Sequence, residues 1–331
     1  MKVIRSLEEL PAGLGATAVT IGKFDGLHCG HRRVIGLLRE AAAERGLAPV
    51  AVTFDRHPAA LFAPEKAPCP IVSLEQKLAL LAGQGLAGVL VLPFTRETAS
   101  IEAIDFIERI LVEGLGMRLI VVGRDFRFGA KGAGDSALLL EHADRLGYEV
   151  VLCDDEPGPT PDEAMVRRAS STWVRELLEA GDVAGAARVL GRPHTLSGEV
   201  VHGAKRGREL GFPTANLTPA LDGFIPADGV YAGWLDDGER SWPAAISVGD
   251  NPTFEGVPQK QVEAHVIDAT LDLYGKVVEV SFIERIRGMV RFEGLEPLIA
   301  RMGQDVEEAR EILARPESAP PARRGVVEDA S

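Results

Sequence analysis

Five runs in the first half of the chain, AVTIGKF, PVAVTFD, GVLVLPF, RLIVVGRDF and YEVVLCDD, are dense in Val, Ile and Leu and show no polar face. Short, nearly continuous apolar runs predict strands buried on both sides, as in a parallel sheet. Between them, HRRVIGLLREAAAERG, SLEQKLALLAGQG, SIEAIDFIERILVEGLG and DSALLLEHADRLG repeat apolar residues every three or four positions. Each closes at or near a Gly able to cap a helix. Alternating β and α units of this length predict an open, doubly wound, Rossmann-like sheet. Ligands of such sheets sit at the carboxyl ends of the strands, so the loops there are where chemistry is expected.

After about Arg188 the pattern changes to GEVVHG, GVYAGWLDDGERSWPAAISVG, VEAHVIDA and KVVEVSFIERI, strands joined by turn residues with no long helical repeat between them. Asp236–Gly238 reads as a hairpin turn. A small antiparallel barrel or sandwich is expected, closed by one amphipathic helix with Leu295, Leu298, Ile299, Met302, Val306 and Ile312 on one face. The expected division is therefore an α/β domain over residues 1–186, a β domain over 187–314, and a Pro-, Ala- and charge-rich disordered tail over 315–331.

Composition narrows the partners. The 331 residues, 46% hydrophobic and 26% charged, suit a soluble globular protein of two domains. With 36 Lys and Arg against 49 Asp and Glu, the net charge of −13 argues against a nucleic-acid grip spread over the surface. The 5% aromatic content leaves little for stacking bases. A locally basic pocket for a small anion is compatible with both. The first residues carry charge where a signal peptide has its apolar core, and the apolar runs are too short to cross a bilayer, so no membrane partner is expected. Cys29, Cys69 and Cys153 form no C-x-x-C pair, as in a reducing cytoplasm.

The sharpest local feature, Gly22-Lys-Phe24-Asp25-Gly26-Leu-His28-Cys-Gly30-His31, follows the first of these strands and runs into a helix. Its glycines permit close approach of a ligand to the backbone, and the helix amino terminus favours phosphate. His28 and His31, three apart on the first turn, could donate to phosphate oxygens. The same residues fit a capped helix with two exposed histidines, or, poorly, a zinc site that includes Cys29. After the last strand of the sheet comes Arg167-Arg168-Ala-Ser-Ser171-Thr172-Trp-Val-Arg175, with hydroxyls to cap a helix or bind phosphate and an arginine fork to meet the same anion. Taken alone, it is an ordinary N-cap cluster.

Together these segments resemble the HxGH and SSTxVR elements of the adenylyl- and cytidylyltransferase superfamily, in the form seen in prokaryotic FAD synthetases. Thr53-Phe-Asp-Arg56-His57-Pro58 resembles TFDPHP of that family, with Arg56 in place of a Pro and a less rigid loop expected. Val122-Gly-Arg-Asp125-Phe-Arg-Phe-Gly129 resembles its VGxDFRFG segment. The resemblance implies roles in ATP or flavin binding for Gly22, Phe24, Asp25, Gly30, His57, Asp125, Arg168, Ser171 and Thr172, and catalytic roles for His28, His31 and Arg175.

The second strong signal is the string from Gly198 to Leu217, GEVVHGAKRGRELGFPTANL. Its glycines and basic residues suit either a loop that wraps phosphates or a Gly-rich hairpin with a solvated basic face. Thr214 and Asn216 offer neutral oxygens acceptable to Mg²⁺. Glu263, in a strand with Val262 and Val266, is either solvent-facing or a placed base. The string resembles the signature of riboflavin kinases, and the pieces around Gly229, Gly249, Glu263 and Tyr274 follow in that family's order. The resemblance makes Glu263 the catalytic base and Thr214 and Asn216 the metal ligands. It assigns Gly203, Lys205, Gly207, Arg208, Pro213 and Arg287 to ATP or flavin binding; Met289 departs from a Glu that many members carry.

Over roughly residues 15–315 the chain is thus similar to the bifunctional riboflavin kinase/FMN adenylyltransferases. What this implies is a Rossmann-like nucleotidyltransferase domain followed by a riboflavin-kinase β-barrel with a C-terminal helix. The implied substrates and products are riboflavin, FMN, FAD, ATP, ADP and pyrophosphate, with Mg²⁺ accompanying ATP and the flavins as reactants rather than prosthetic groups. Retention of one activity only, transfer to another small phosphate, and a non-catalytic flavin- or nucleotide-binding regulator are the alternatives.

Overall fold

Parallel strands alternate with helices through the first half of the chain, as the apolar runs predict. The computed structural model describes residues 1–6, 14–154, 158–159, 167–203, 210–219, 221–250 and 260–321. They divide into two compact units, Met1–Ala169 and Ser170–Ala322.

The first unit contains β1 (Lys2–Ile4), β2 (Thr17–Ile21), α1 (Cys29–Arg45), β3 (Ala48–Phe54), α2 (Ala59–Phe62), α3 (Leu74–Ala82), β4 (Gly88–Leu92), α4 (Arg96–Ala99), α5 (Ala103–Asp105), which continues as a π-helix over Phe106–Gly114, β5 (Met117–Gly123), the short hairpin β6 (Arg127–Phe128) and β7 (Gly134–Asp135), α6 (Ser136–Leu146) and β8 (Glu149–Cys153). The main sheet has the order β1-β4-β3-β2-β5-β8 and is parallel throughout. β2 and β4 are buried at every position, which is why their sequences show no polar face. Alternate residues feed two cores. Ala18, Ala51, Val89 and Leu119 pack against Ile35 and Leu38 of α1 and Leu78 and Leu81 of α3. Val19, Val50, Leu90 and Ile120 pack on the other face against Ile107 and Leu111 of the π-helix and Leu139 of α6. β1 was not apparent in the sequence: three residues flanked by charge carry no readable period.

The second unit opens with α7 (Ser171–Ala180) and α8 (Val183–Leu190). It continues through β9 (His194–Val201), β10 (Ala215–Leu217), β11 (Gly229–Asp236), β12 (Ser241–Asp250), β13 (Lys260–Val266), β14 (Val277–Arg287) and α9 (Leu295–Leu313). The six strands close an antiparallel barrel, β10-β13-β12-β11-β14-β9. The β11–β12 turn lies where Asp236–Gly238 predicts it, with Gly238 at φ 89° in the left-handed region. α7 and the first half of α8, which lie within the expected 1–186 division, fall in the barrel's unit: Ala227 N donates to Leu178 O at 2.9 Å and Arg285 to Ala180 O at 3.2 Å.

Two expectations change. The amphipathic face of α9 is covered only in its second half: Ala309, Ile312 and Leu313 are buried, whereas Leu295 is 64% exposed and Ile299 38%. The buried polar member of that face is Asp305, which no apolar pattern marks. The tail expected to be disordered from 315 is ordered at its start, since Pro316–Ser318 form a 3-10 turn and Trp234 Nε1 donates to Ser318 O at 2.8 Å. Residues 322–331 lie outside the described residues.

Candidate active sites

The loop after β2 reaches α1 through an unusual backbone. Phe24 (φ 49°), Gly26 (φ 79°) and Leu27 (φ 45°) all occupy the left-handed region, which costs energy at the two non-glycine positions and is held here by burial of both side chains. A Cβ on Gly22 would lie 2.9 Å from the Phe24 ring, so a side chain there would force the ring to move. His28 is the N-cap of α1, and its Nδ1 accepts from His31 N at 3.4 Å. That bond leaves the proton of the neutral ring on Nε2, an available donor. The two imidazoles stack at 3.7 Å between centroids, and Gly30 permits this because a Cβ would meet the His28 ring at 3.2 Å and Ala169 O at 3.6 Å.

Burial, then the Arg32 and Arg168 guanidiniums, pushes the His28 imidazole down to about 4. Burial also holds His31 well below the ordinary histidine range, reinforced by His28, Lys23, Arg168 and Arg32. Both rings are neutral at pH 7. His31 Nδ1 is buried with no hydrogen-bond partner among the described residues. The capped helix is real, but the histidines are not exposed: His28 is 6% exposed.

The neighbouring loops converge on this one. Thr53 Oγ1 donates to Lys23 O at 3.3 Å, and Lys23 Nζ lies 3.3 Å from His57 Nε2. Asp25 accepts from Ile71 N at 2.9 Å. Asp125 and Arg168 form a two-pronged pair at 2.5 and 3.2 Å, which holds the Asp125 carboxyl below the usual range chiefly through the Arg168 hydrogen bond. The loop after β3, expected to be loosened by Arg56, is instead tied by its own side chains: Asp55 accepts from Phe94 N at 2.7 Å and from Arg56 at 2.8 and 3.0 Å. The structure adds an aromatic group that the sequence did not mark. Phe94 meets Phe54 and Phe62 edge-on, and Phe62 is 66% exposed. Ser171, Thr172 and Arg175 occupy the first turns of α7 in the second unit, capped by the Ser170 side chain, which accepts from Trp173 N.

In the barrel, strand alternation decides where Glu263 points. Val262, Ala264 and Val266 are buried, so Glu263 and His265 face away from the barrel interior. Register places Asn216 of β10 directly opposite Glu263. Thr214 Oγ1 donates to Glu263 Oε2 at 3.0 Å, and Asn216 Nδ2 donates to Thr214 Oγ1 at 3.2 Å. His265 Nδ1 sits 2.8 Å from Pro213 O and pins the segment that delivers Thr214. A Cβ on Gly203 would lie 2.3 Å from Asn216 Oδ1, so a side chain there would displace this amide. The side-chain oxygens of Thr214 and Asn216, beside the Glu263 carboxylate, are neutral oxygens of the kind that could hold a hard cation. Lys205, Gly207 and Arg208 lie outside the described residues. Arg287 is committed elsewhere: Nε and Nη2 bind Asp305, itself 4% exposed, at 2.8 and 2.6 Å, and Nη1 donates to Gly288 O.

The comparisons agree with this two-part layout. The family model for FAD synthetase matches residues 11–157 and that for riboflavin kinase matches residues 190–313. A bifunctional riboflavin kinase/FMN adenylyltransferase of Pseudomonas fluorescens is 37% identical over 314 residues, covering 95% of this chain and 98% of that protein. One of the same description from Escherichia coli K12 is 39% identical over 315 residues with the same coverage. A crystal structure described as a macrolide-efflux protein of Streptococcus pneumoniae superposes with a TM-score of 0.83 at 30% identity, covering 93% of this chain and 98% of its own. No described helix of this chain is long and apolar enough to cross a membrane. With two matching models in series and relatives of this identity along nearly its whole length, the chain belongs to the bifunctional riboflavin kinase/FMN adenylyltransferases.

Proposed function

We propose that the chain makes FAD in two steps, phosphorylating riboflavin to FMN in the barrel unit and adenylylating FMN in the sheet unit. The observation that carries this reading is one chain holding both a carboxylate–hydroxyl–amide cluster at Glu263, Thr214 and Asn216 and a neutral, stacked His28–His31 pair at a helix amino terminus.

In the first step Glu263 accepts the proton of the riboflavin 5′-hydroxyl, whose oxygen attacks the γ-phosphorus of ATP as ADP leaves. Thr214 and Asn216 would hold Mg²⁺, which would neutralise phosphate charge. Lys205, Gly207 and Arg208 are assigned to the ATP phosphates by resemblance, beside Gly203 and Pro213. Arg287 is assigned to the flavin side by resemblance, although its guanidinium is bonded to Asp305.

In the second step a phosphate oxygen of FMN attacks the α-phosphorus of a second ATP, and the bond to pyrophosphate breaks. A phosphate monoester is already ionised at pH 7, so no strong base is needed and stabilisation of the leaving group dominates. The His28 Nε2–H, His31 and Arg168 supply donors and charge, and Ser171, Thr172 and Arg175 are assigned to the same anion by resemblance. Gly22, Gly30, Phe24 and Asp25 shape the loop, His57 and Asp125 flank it, and exposed Phe62 offers a face to a planar ring. The reactants are small molecules supplied by the cytoplasm, where free thiols such as Cys29, Cys69 and Cys153 persist.

Incubation of the purified protein with riboflavin, ATP and Mg²⁺, followed by chromatography, tests the reading. FMN followed by FAD is expected. FMN alone would remove the second step, and the absence of both products would leave a binding protein without turnover.

A further inference from the structure

Lys77 is a buried cation that neither family motif contains. It lies on α3 with 8% of its surface exposed, and its Nζ donates to Phe54 O at 2.7 Å and to Lys23 O at 3.4 Å. Phe54 ends β3 and leads into the loop of His57; Lys23 follows β2 and leads into the loop of His28 and His31. The two carbonyls belong to different strand-end loops, and one ammonium group holds both. The charges acting on it are the carboxylates of Asp25 and Asp55. Each carboxylate ties down a further segment, Asp25 through Ile71 N and Asp55 through Phe94 N and Arg56. Near the same carbonyl, the Lys23 side chain lies against His57 Nε2. Four chain segments thus meet around one buried positive charge, and bonds of an ammonium to carbonyl oxygens are of the strong, charge-assisted kind.

We infer that Lys77 is a positioning residue for FMN adenylylation: in its charged form it sets the spacing between the loop that carries the stacked histidines and the loop that carries His57. It touches neither substrate nor reacting atoms and acts through Lys23 and Phe54. A misplacement of such loops by about 1 Å costs on the order of a hundredfold in rate, so the effect falls on ATP binding and turnover rather than on folding alone. Burial, opposed by Asp25 and Asp55, lowers the Lys77 amine to about 8. The ammonium charge is therefore lost as the pH rises through 8, and its grip on the carbonyls weakens there.

The inference rests on the adenylylation reading, and the test separates the two. FAD formation from added FMN and ATP is measured for the wild type, Lys77→Met and Lys77→Arg between pH 6.5 and 9.5, with riboflavin phosphorylation and thermal melting followed in the same samples. Lys77→Met is expected to raise the KM for ATP and to lower kcat/KM by about tenfold or more, with phosphorylation unchanged. Lys77→Arg, which keeps the charge, is expected to recover part of the loss. Wild-type FAD formation is expected to decline as the pH rises through 8, a limb absent from the residual activity of Lys77→Met and from Lys77→Arg. A wild-type KM and kcat in Lys77→Met, or the same alkaline limb in a variant without the amine, overturns the inference. A lower kcat at unchanged KM together with a lowered melting point assigns Lys77 to folding only, and also overturns it. If Lys77→Met does not fold, persistence of the limb in Lys77→Arg is decisive against it. Absence of FAD from the wild type defeats the adenylylation reading itself, and the inference falls with it.

Discussion

The Thr214 hydroxyl donates to Glu263 Oε2 at 3.0 Å, joining two residues 49 positions apart in the chain. The bond orients the carboxylate proposed to accept the proton of riboflavin, and the same hydroxyl is one of the two oxygens proposed to hold Mg²⁺. Glu263→Ala is expected to lower FMN formation by about a hundredfold or more while added FMN is still converted to FAD. Thr214→Val, which keeps the shape and removes the oxygen, should weaken the same step and raise the Mg²⁺ concentration needed for half-maximal rate. Loss of both activities in a folded Glu263→Ala protein would show that the two sites are not independent.

Gly203, assigned by resemblance to ATP or flavin binding, also tests the geometry of the same cluster. A methyl group there would meet Asn216 Oδ1 at 2.3 Å, so Gly203→Ala must displace the amide. A fall in riboflavin phosphorylation of about tenfold or more is expected, with FAD formation from added FMN intact. Normal phosphorylation in this variant would mean that the Asn216 position is not used.

For the sheet unit, His31→Ala removes a half-buried ring whose buried Nδ1 has no described protein partner. FAD formation is expected to fall by about a hundredfold or more, with FMN accumulating at the wild-type rate. Chromatography of a riboflavin and ATP reaction reads both in one sample.

The depressed histidines also make the first unit acid-sensitive. His28 titrates near 4 when folded and near 6.5 when unfolded, so between these values the unfolded chain binds the extra proton. Stability due to this ring is full above about 6.5 and is lost as the pH falls towards 4, by about 3 kcal/mol from His28 alone. Asn serves equally well as an N-cap and does not titrate. His28→Asn should therefore lose less melting temperature than the wild type between pH 7 and 4.5. Equal losses would contradict the neutral, buried assignment of His28.

Much of the architecture was legible because burial leaves a periodic trace within about ten residues. The unbroken apolar runs of β2 and β4 mark strands covered on both faces, and the Leu74, Leu78 and Leu81 spacing marks α3 as packed against the sheet. Lys77 lies on that same stripe, and a lysine in line with apolar positions was the available sign of a buried cation. β1 left no sign, because three residues are too few to show a period.

The sequence by itself determined most element types and the order of an α/β part before a β part, since local spacing encodes these directly, and resemblance to the family named the residues proposed to carry the chemistry. Tertiary structure alone decided what those residues touch. Barrel closure sets Glu263 beside Thr214 and Asn216, and burial strips His28 and His31 of charge. Asp305 takes up the fork of Arg287, and α3 delivers Lys77 beneath two loops distant in sequence. Such pairings join residues tens of positions apart, and their energies come from desolvation and short contacts that exist only after the chain has closed.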